Sequence, residues 1–166
     1  FDLSNKVICV TGASSGIGRQ CAVSCSRMGA TVVLLARNEQ RLHETLSIMD
    51  NPDKHVIIPV DLTEYATVEL VVKNIVSQVG RISGVLHCAG ISTTLPLKLV
   101  TPEKLDEFFQ ANVFSAYNLT REVCKMGNFS REGGSIVFFS SVMGKVGENG
   151  KSLYGMTKGA LVSGTR

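Results

Sequence analysis

The stretch Val7-Ile8-Cys9-Val10-Thr11-Gly12-Ala13-Ser14-Ser15-Gly16-Ile17-Gly18 decides how the rest of the chain is read. Four apolar residues in a row run into a turn that holds three glycines, and a helical pattern follows. A strand that is apolar at every position, rather than at every second one, is covered on both faces. Glycines let the backbone turn sharply from that strand into the helix.

Four more runs of the same kind lie downstream: Val32-Val33-Leu34-Leu35-Ala36, Val56-Ile57-Ile58, Val85-Leu86-His87-Cys88 and Ile136-Val137-Phe138-Phe139. The segments between them carry helical periodicity. Val68, Val71, Val72, Ile75, Val76 and Val79 make one apolar stripe. Thr101-Pro102-Glu103 opens another helix, with Thr as N-cap, Pro at the first helical position and an acid in the first turn. Leu105, Phe108, Phe109, Ala116 and Leu119 are its predicted buried face. Strands alternating with helices imply right-handed βαβ units and a doubly wound parallel α/β sheet, a Rossmann fold with five strands visible. No repeat, linker or low-complexity segment divides the chain, so residues 1–166 read as a single domain.

The 166 residues are 44% hydrophobic and 19% charged, with a net charge of +3. That balance suits a soluble globular protein and is too mild for a nucleic-acid partner, and no Lys/Arg run concentrates it. The opening Phe1-Asp2-Leu3-Ser4-Asn5-Lys6 lacks the pattern of a signal peptide, and no apolar run approaches the roughly 20 residues of a membrane span. A cytoplasmic location is therefore expected. Five cysteines without a C-x-x-C pair are expected to be reduced, with no metal site.

The fingerprint G-x-G-x-x-G is absent, because Gly16-Ile17-Gly18 is followed by Arg19, Gln20 and Cys21. The physics of that motif is still available. Bare glycine backbone and the free N–H groups of a helix N-terminus favour a pyrophosphate, which makes Gly12, Ser14, Ser15, Gly16, Ile17 and Gly18 candidate cofactor-binding residues. A plain glycine-rich turn is the alternative. At the end of the second strand an acid would hold the ribose of NAD, whereas this chain reads Leu35-Ala36-Arg37-Asn38. Arg37 can form charge-assisted hydrogen bonds with a 2′-phosphate, with Arg19 and Ser14 close enough in the motif to help, so NADP(H) is the expected cofactor. The other reading of Arg37 is a solvated surface charge.

Tyr154-Gly155-Met156-Thr157-Lys158 places a phenol and an ammonium one helical turn apart. A free phenol titrates near about 10, and a neighbouring cation favours its ionised form, so the pair suits proton exchange with a carbonyl or an alcohol. Taken alone, Y-x-x-x-K is a weak signal. Taken together, Thr11-Gly12, Gly16, Gly18, Asn112, Ser141 and Tyr154-x-x-x-Lys158 resemble the short-chain dehydrogenase/reductase family in order and spacing over nearly the whole chain.

The resemblance implies roles for these residues. Tyr154 would be the general acid/base, and Lys158 would assist it and bind the nicotinamide ribose. Ser141 would hydrogen-bond the substrate oxygen, with Ser140 as its alternative. Asn112 would hold a water leading from Lys158, although a structural hydrogen bond also explains an amide inside an apolar stripe. Asp61, with Leu62, resembles the family's adenine contact, and its alternative is a helix N-terminal acid. Ala89 and Gly90 would give close backbone approach to the cofactor. The family usually has Asn-Asn before that Ala-Gly, whereas here the residues are His87 and Cys88.

The implied activity is hydride transfer between NADP(H) and a small-molecule carbonyl or secondary alcohol. Reductases of 3-oxoacyl-carrier-protein, sugar and steroid or retinoid type are all compatible. A non-catalytic NADP(H)-binding regulator is the alternative, and homodimers or homotetramers are the family's habit. By the family's pattern the last strands and a substrate loop would follow Arg166, so the domain is expected to be truncated at its C-terminus.

Overall fold

In the computed structural model, which describes residues 2–165, the five apolar runs become β1 (Val7–Thr11), β2 (Thr31–Ala36), β3 (Val56–Pro59), β4 (Gly84–His87) and β5 (Ser135–Phe138). Every pairing is parallel and the order is β3-β2-β1-β4-β5. The chain therefore winds outward from β1 to β3, crosses back, and continues from β4 in the other direction. Between β1 and β4 the connections leave to opposite faces, and this topological switch point opens a crevice at the strands' carboxyl ends.

Over β1, β2 and β4 both faces of the sheet are covered, and successive residues of one strand divide between them. At the β5 edge Ser135 and Val137 are exposed, so its apolar run is not covered on both faces as the sequence suggested. Val7 and Cys9 of β1, with Val33 and Leu35 of β2, pack under Val68, Val72 and Ile75 of α3 (Tyr65–Val79) and Leu119 and Val123 of α5 (Ser115–Val123). Ile8 and Val10, with Val32 and Leu34, pack instead against Ala22 and Val23 of α1 (Gly16–Arg27) and Leu42 of α2 (Glu39–Leu46). This two-sided burial is why the runs are continuous instead of alternating.

The helix predicted from Thr101 starts as expected. The Thr101 hydroxyl caps α4 (Pro102–Phe109) by accepting from the Lys104 amide, with Pro102 at the first position. It then passes through a π-helical turn, Gln110–Phe114, before continuing as α5. Periodicity did not reveal that turn. It also failed at Leu105, which is 36% exposed at the start of α4, where the packing that buries Phe108 has ended.

Leu35 has no exposed surface in the middle of the sheet. Leu35→Ala is expected to cost about 2–5 kcal/mol of folding free energy, read from urea unfolding, since the tightly packed surroundings cannot close over the void. A cost under about 1 kcal/mol would show that this part of the core relaxes freely.

Candidate active site

Two backbone segments meet at the switch point. Gly12 has φ +65°, and a Cβ there would lie 2.9 Å from the Ala89 nitrogen and 3.2 Å from the Cys88 carbonyl carbon. The Thr11 hydroxyl accepts a hydrogen bond from the Ala89 amide at 3.0 Å, fastening the end of β1 to the chain leaving β4. A side chain on Gly18 would drive into the Gly12 carbonyl, so the first turn of α1 packs directly on the glycine turn. Gly16, at φ +51°, faces open space, and no side chain caps α1 at Ser15. The helix N-terminus therefore presents bare backbone N–H groups to whatever lies above it.

A cleft of about 1110 Å³ runs over this turn. Gly12, Ser14, Ser15, Gly16, Ile17, Gly18, Arg37, Asp61, Leu62, Ala89 and Gly90, each singled out from sequence, all line it. At its far end Arg37, with 76% of its side chain exposed, lies 3.8 Å from Asp61 Oδ2. Asp61 Oδ1 accepts from both the amide and the hydroxyl of Thr63, at 3.0 and 2.7 Å. Burial raises the Asp61 carboxyl, but the two Thr63 bonds and the Arg37 guanidinium outweigh it and hold the group below its ordinary value.

Arg19 is occupied elsewhere. It donates to the Ser14 carbonyl at 2.7 Å and to the Thr45 hydroxyl at 3.0 Å, and pairs with Glu44 at 3.1 Å, so it braces α1 against α2. Arg41, one turn into α2, lines the cleft in its stead and had no motif to mark it.

The second group of residues gathers on α6 (Ser152–Ser163) and around Gly90. Lys158 is buried, with Nζ 5.7 Å from the centre of the Tyr154 ring and 2.7 Å from the Phe139 carbonyl, to which it donates. Burial lowers the pKa of its ammonium, while the Cys88 thiol acts in the opposite sense. A Cβ on Gly90 would sit 3.1 Å from Asn112 Oδ1 and 3.6 Å from Lys158 Nζ, so Gly90 joins the cleft to this cluster.

Asn112, only 1% exposed, is held by the π-helical turn so that its amide makes three bonds. Oδ1 accepts from the Ile91 amide at 2.7 Å, and Nδ2 donates to the Ile91 carbonyl at 2.9 Å and the Thr157 hydroxyl at 3.0 Å. Thr157 passes its own proton to the Tyr154 carbonyl at 2.7 Å.

Geometry also separates the two serines. Ser140 donates its hydroxyl proton to the Lys158 carbonyl at 2.8 Å. Ser141 accepts from the Met143 amide at 3.2 Å, which leaves its own proton available to a bound oxygen.

Where the family pattern has two amides, this chain has a buried imidazole, His87, and a half-buried thiol, Cys88. His87 stacks on Phe138, with ring centres 4.6 Å apart, and its Nε2 meets the Thr120 hydroxyl at 2.8 Å while Nδ1 has no partner. Burial depresses its pKa to about 4. Burial likewise pushes the Cys88 thiol up to about 12, with Cys21 and Cys25 adding to the rise.

The sequence profile described as short chain dehydrogenase matches residues 6–166. An uncharacterized oxidoreductase of Escherichia coli, YciK, is 32% identical over 162 residues, covering 94% of this chain and 64% of the relative. The 3-dehydrosphinganine reductase of Danio rerio is 32% identical over 165 residues, covering 96% of this chain and 49% of its own. The crystal structure of a Shigella flexneri short chain dehydrogenase complexed with NADP superposes with a TM-score of 0.87 at 32% identity, covering 96% of this chain and 69% of that one. This chain thus spans about half to two thirds of the length of these relatives.

The buried, neutral His87 makes stability depend on pH. Above its ordinary value of 6.5 the ring is uncharged in both folded and unfolded chains. Between there and about 4 only the unfolded chain takes up a proton, so stability falls as pH drops through that window, by about 1.4 kcal/mol per unit at most. His87→Asn should remove this part of the slope when urea unfolding is compared at about pH 7 and about pH 4.5. Equal acid losses in variant and parent would contradict the assignment.

Proposed function

Because this chain belongs to the short-chain dehydrogenase family, we propose that it forms the dinucleotide-binding and catalytic domain of an NADP(H)-dependent oxidoreductase interconverting a carbonyl and a secondary alcohol. The observation that carries this reading is the junction at Gly90. The same residue lines the cleft and lies against the Asn112 amide and the Lys158 ammonium, one helical turn from Tyr154.

The cleft fits a dinucleotide. Gly16 leaves a bare backbone surface where a Cβ would otherwise intrude, and the uncapped start of α1 offers N–H donors to a pyrophosphate. Arg37 and Arg41 stand on the wall beyond it, where a 2′-phosphate would meet two guanidinium groups and no unpaired acid. Asp61 and Leu62 form the wall for the adenine. That a similar Shigella flexneri structure was obtained with NADP agrees with this choice. When bound, the nicotinamide supplies the hydride for reduction, or accepts it in oxidation.

The chain's own groups manage the proton and the orientation. Ser141 uses its free hydroxyl proton to bind the substrate oxygen, holding it beside the Tyr154 phenol. Tyr154 gives its proton to that oxygen in reduction and takes it back in oxidation. Lys158, buried and fixed on the Phe139 carbonyl, keeps a positive charge beside the phenol and lies close to Gly90, which lines the cleft. Asn112 is a positioning residue. It ties the loop bearing Ile91 to the helix bearing Tyr154, so both walls of the reaction site hold one separation.

In the full-length protein, Tyr154→Phe should reduce NADPH-dependent turnover of ketones by about 10²–10⁴-fold while NADPH binding persists. Undiminished turnover would remove Tyr154 from the mechanism. Arg37→Leu should weaken NADPH by about tenfold at low ionic strength, and less at high salt because the site is exposed, with NADH affinity unaltered. Parallel loss for both cofactors, measured by fluorescence titration, would overturn the NADP(H) assignment.

A further inference from the structure

Tyr154 has a second cation beside it. Lys151 Nζ lies 6.0 Å from the centre of the Tyr154 ring, almost as near as Lys158 at 5.7 Å, so two ammonium groups lie at nearly equal distance from the phenol ring. The two differ in what holds them. Lys158 is buried and fastened to the Phe139 carbonyl. Lys151 is half-buried and makes one hydrogen bond, to the Thr93 carbonyl at 3.1 Å in the loop after β4. Among the described residues no carboxylate lies within ion-pair distance of Lys151, and the nearby Glu148 is linked to it only through backbone.

The position is also a poor one for a lysine as far as folding is concerned. Lys151 is the N-cap of α6, with no side-chain cap and no acid in the first turn. A cation there opposes the helix dipole, where Ser or Asp would stabilise it. Its single strut to Thr93 duplicates a backbone bond between the same two segments, from the Leu95 amide to the Gly150 carbonyl at 2.8 Å.

We infer that Lys151 binds an anionic group of the substrate, and that the substrate is a small carbonyl or hydroxy compound with a carboxylate or phosphate near the reacting carbon. This rests on the reading of Tyr154 as the acid/base group. Given that reading, the two cations near the ring are held by different groups: Lys158 by the Phe139 carbonyl, close to Gly90, and Lys151 by the Thr93 carbonyl. An ammonium has three donors, one of which is engaged here, so two remain for an anion. A long neutral chain would leave that charge without a partner.

The test uses the full-length protein and matched pairs of carbonyl compounds: acetoacetate against methyl acetoacetate, and dihydroxyacetone phosphate against dihydroxyacetone, with NADPH consumption giving kcat/KM. The anionic member of at least one pair should be favoured about tenfold or more, as a charge-assisted hydrogen bond provides, and the pair preferred separates carboxylate from phosphate. Lys151→Met should abolish that preference mainly through KM, and Lys151→Arg should restore most of it. Equal loss on both members of a pair in Lys151→Met would make Lys151 a structural strut and overturn the inference, as would a parent enzyme that favours the neutral members. If the parent turns over none of the four while still binding NADPH, and accepts no other ketone, the oxidoreductase reading itself fails and takes this one with it.

Discussion

At the carboxyl ends of β1 and β4 two backbones approach until no side chain fits between them, and the site depends on that approach. Gly12 must be bare and left-handed to pass Ala89, and the Thr11 hydroxyl then secures the contact. Because these two segments leave the sheet toward opposite faces, the contact forms the floor of a cleft and not a seam in the core. Gly90 follows directly and brings the floor up to Asn112 and Lys158. The cleft and the Tyr154 cluster are thus one construction, joined through the residues that follow β4.

The elements that positioned this floor were legible because burial on two faces writes itself into composition. Each of the five strands lies within a residue or two of its apolar run, and the stripe from Val68 to Val79 became α3. The glycines were legible for a related reason, since their necessity is local to the turn. What could not be read depended on distant partners. Arg19 sits in the glycine motif, yet Thr45 and Glu44, some 25 residues on, claim its guanidinium. The resemblance put Ser141 ahead of Ser140, but their hydrogen bonds, Ser140 to the Lys158 carbonyl and the Met143 amide to Ser141, depend on the folded chain. Arg41 and Lys151 belong to no spacing rule, and their places became visible only once α2 and α6 stood beside the cleft and the Thr93 loop.

His87 and Cys88 show how a polar brace can be replaced by packing. An aromatic stack with Phe138 and a bond to Thr120 hold His87 in place, while Cys88 joins Cys21 in the apolar layer beneath α1. The Ala89-Gly90 backbone, which the cleft requires, is unaffected, because its anchor is Thr11 and not the side chains before it.

The π-helical turn at Gln110–Phe114 carries one more consequence. Such a turn absorbs a surplus residue without altering the relative rotation of the helices on either side. A chain one residue shorter there would keep the helix rotation that turns Phe108 and Leu119 to the core, while the amide of Asn112 would be carried away from Ile91 and Thr157. At this point the arrangement of the candidate site depends on the length of a segment as well as on its side chains. Insertions and deletions are then the informative changes to follow, since substitutions on the outer face of the same helix leave that count intact.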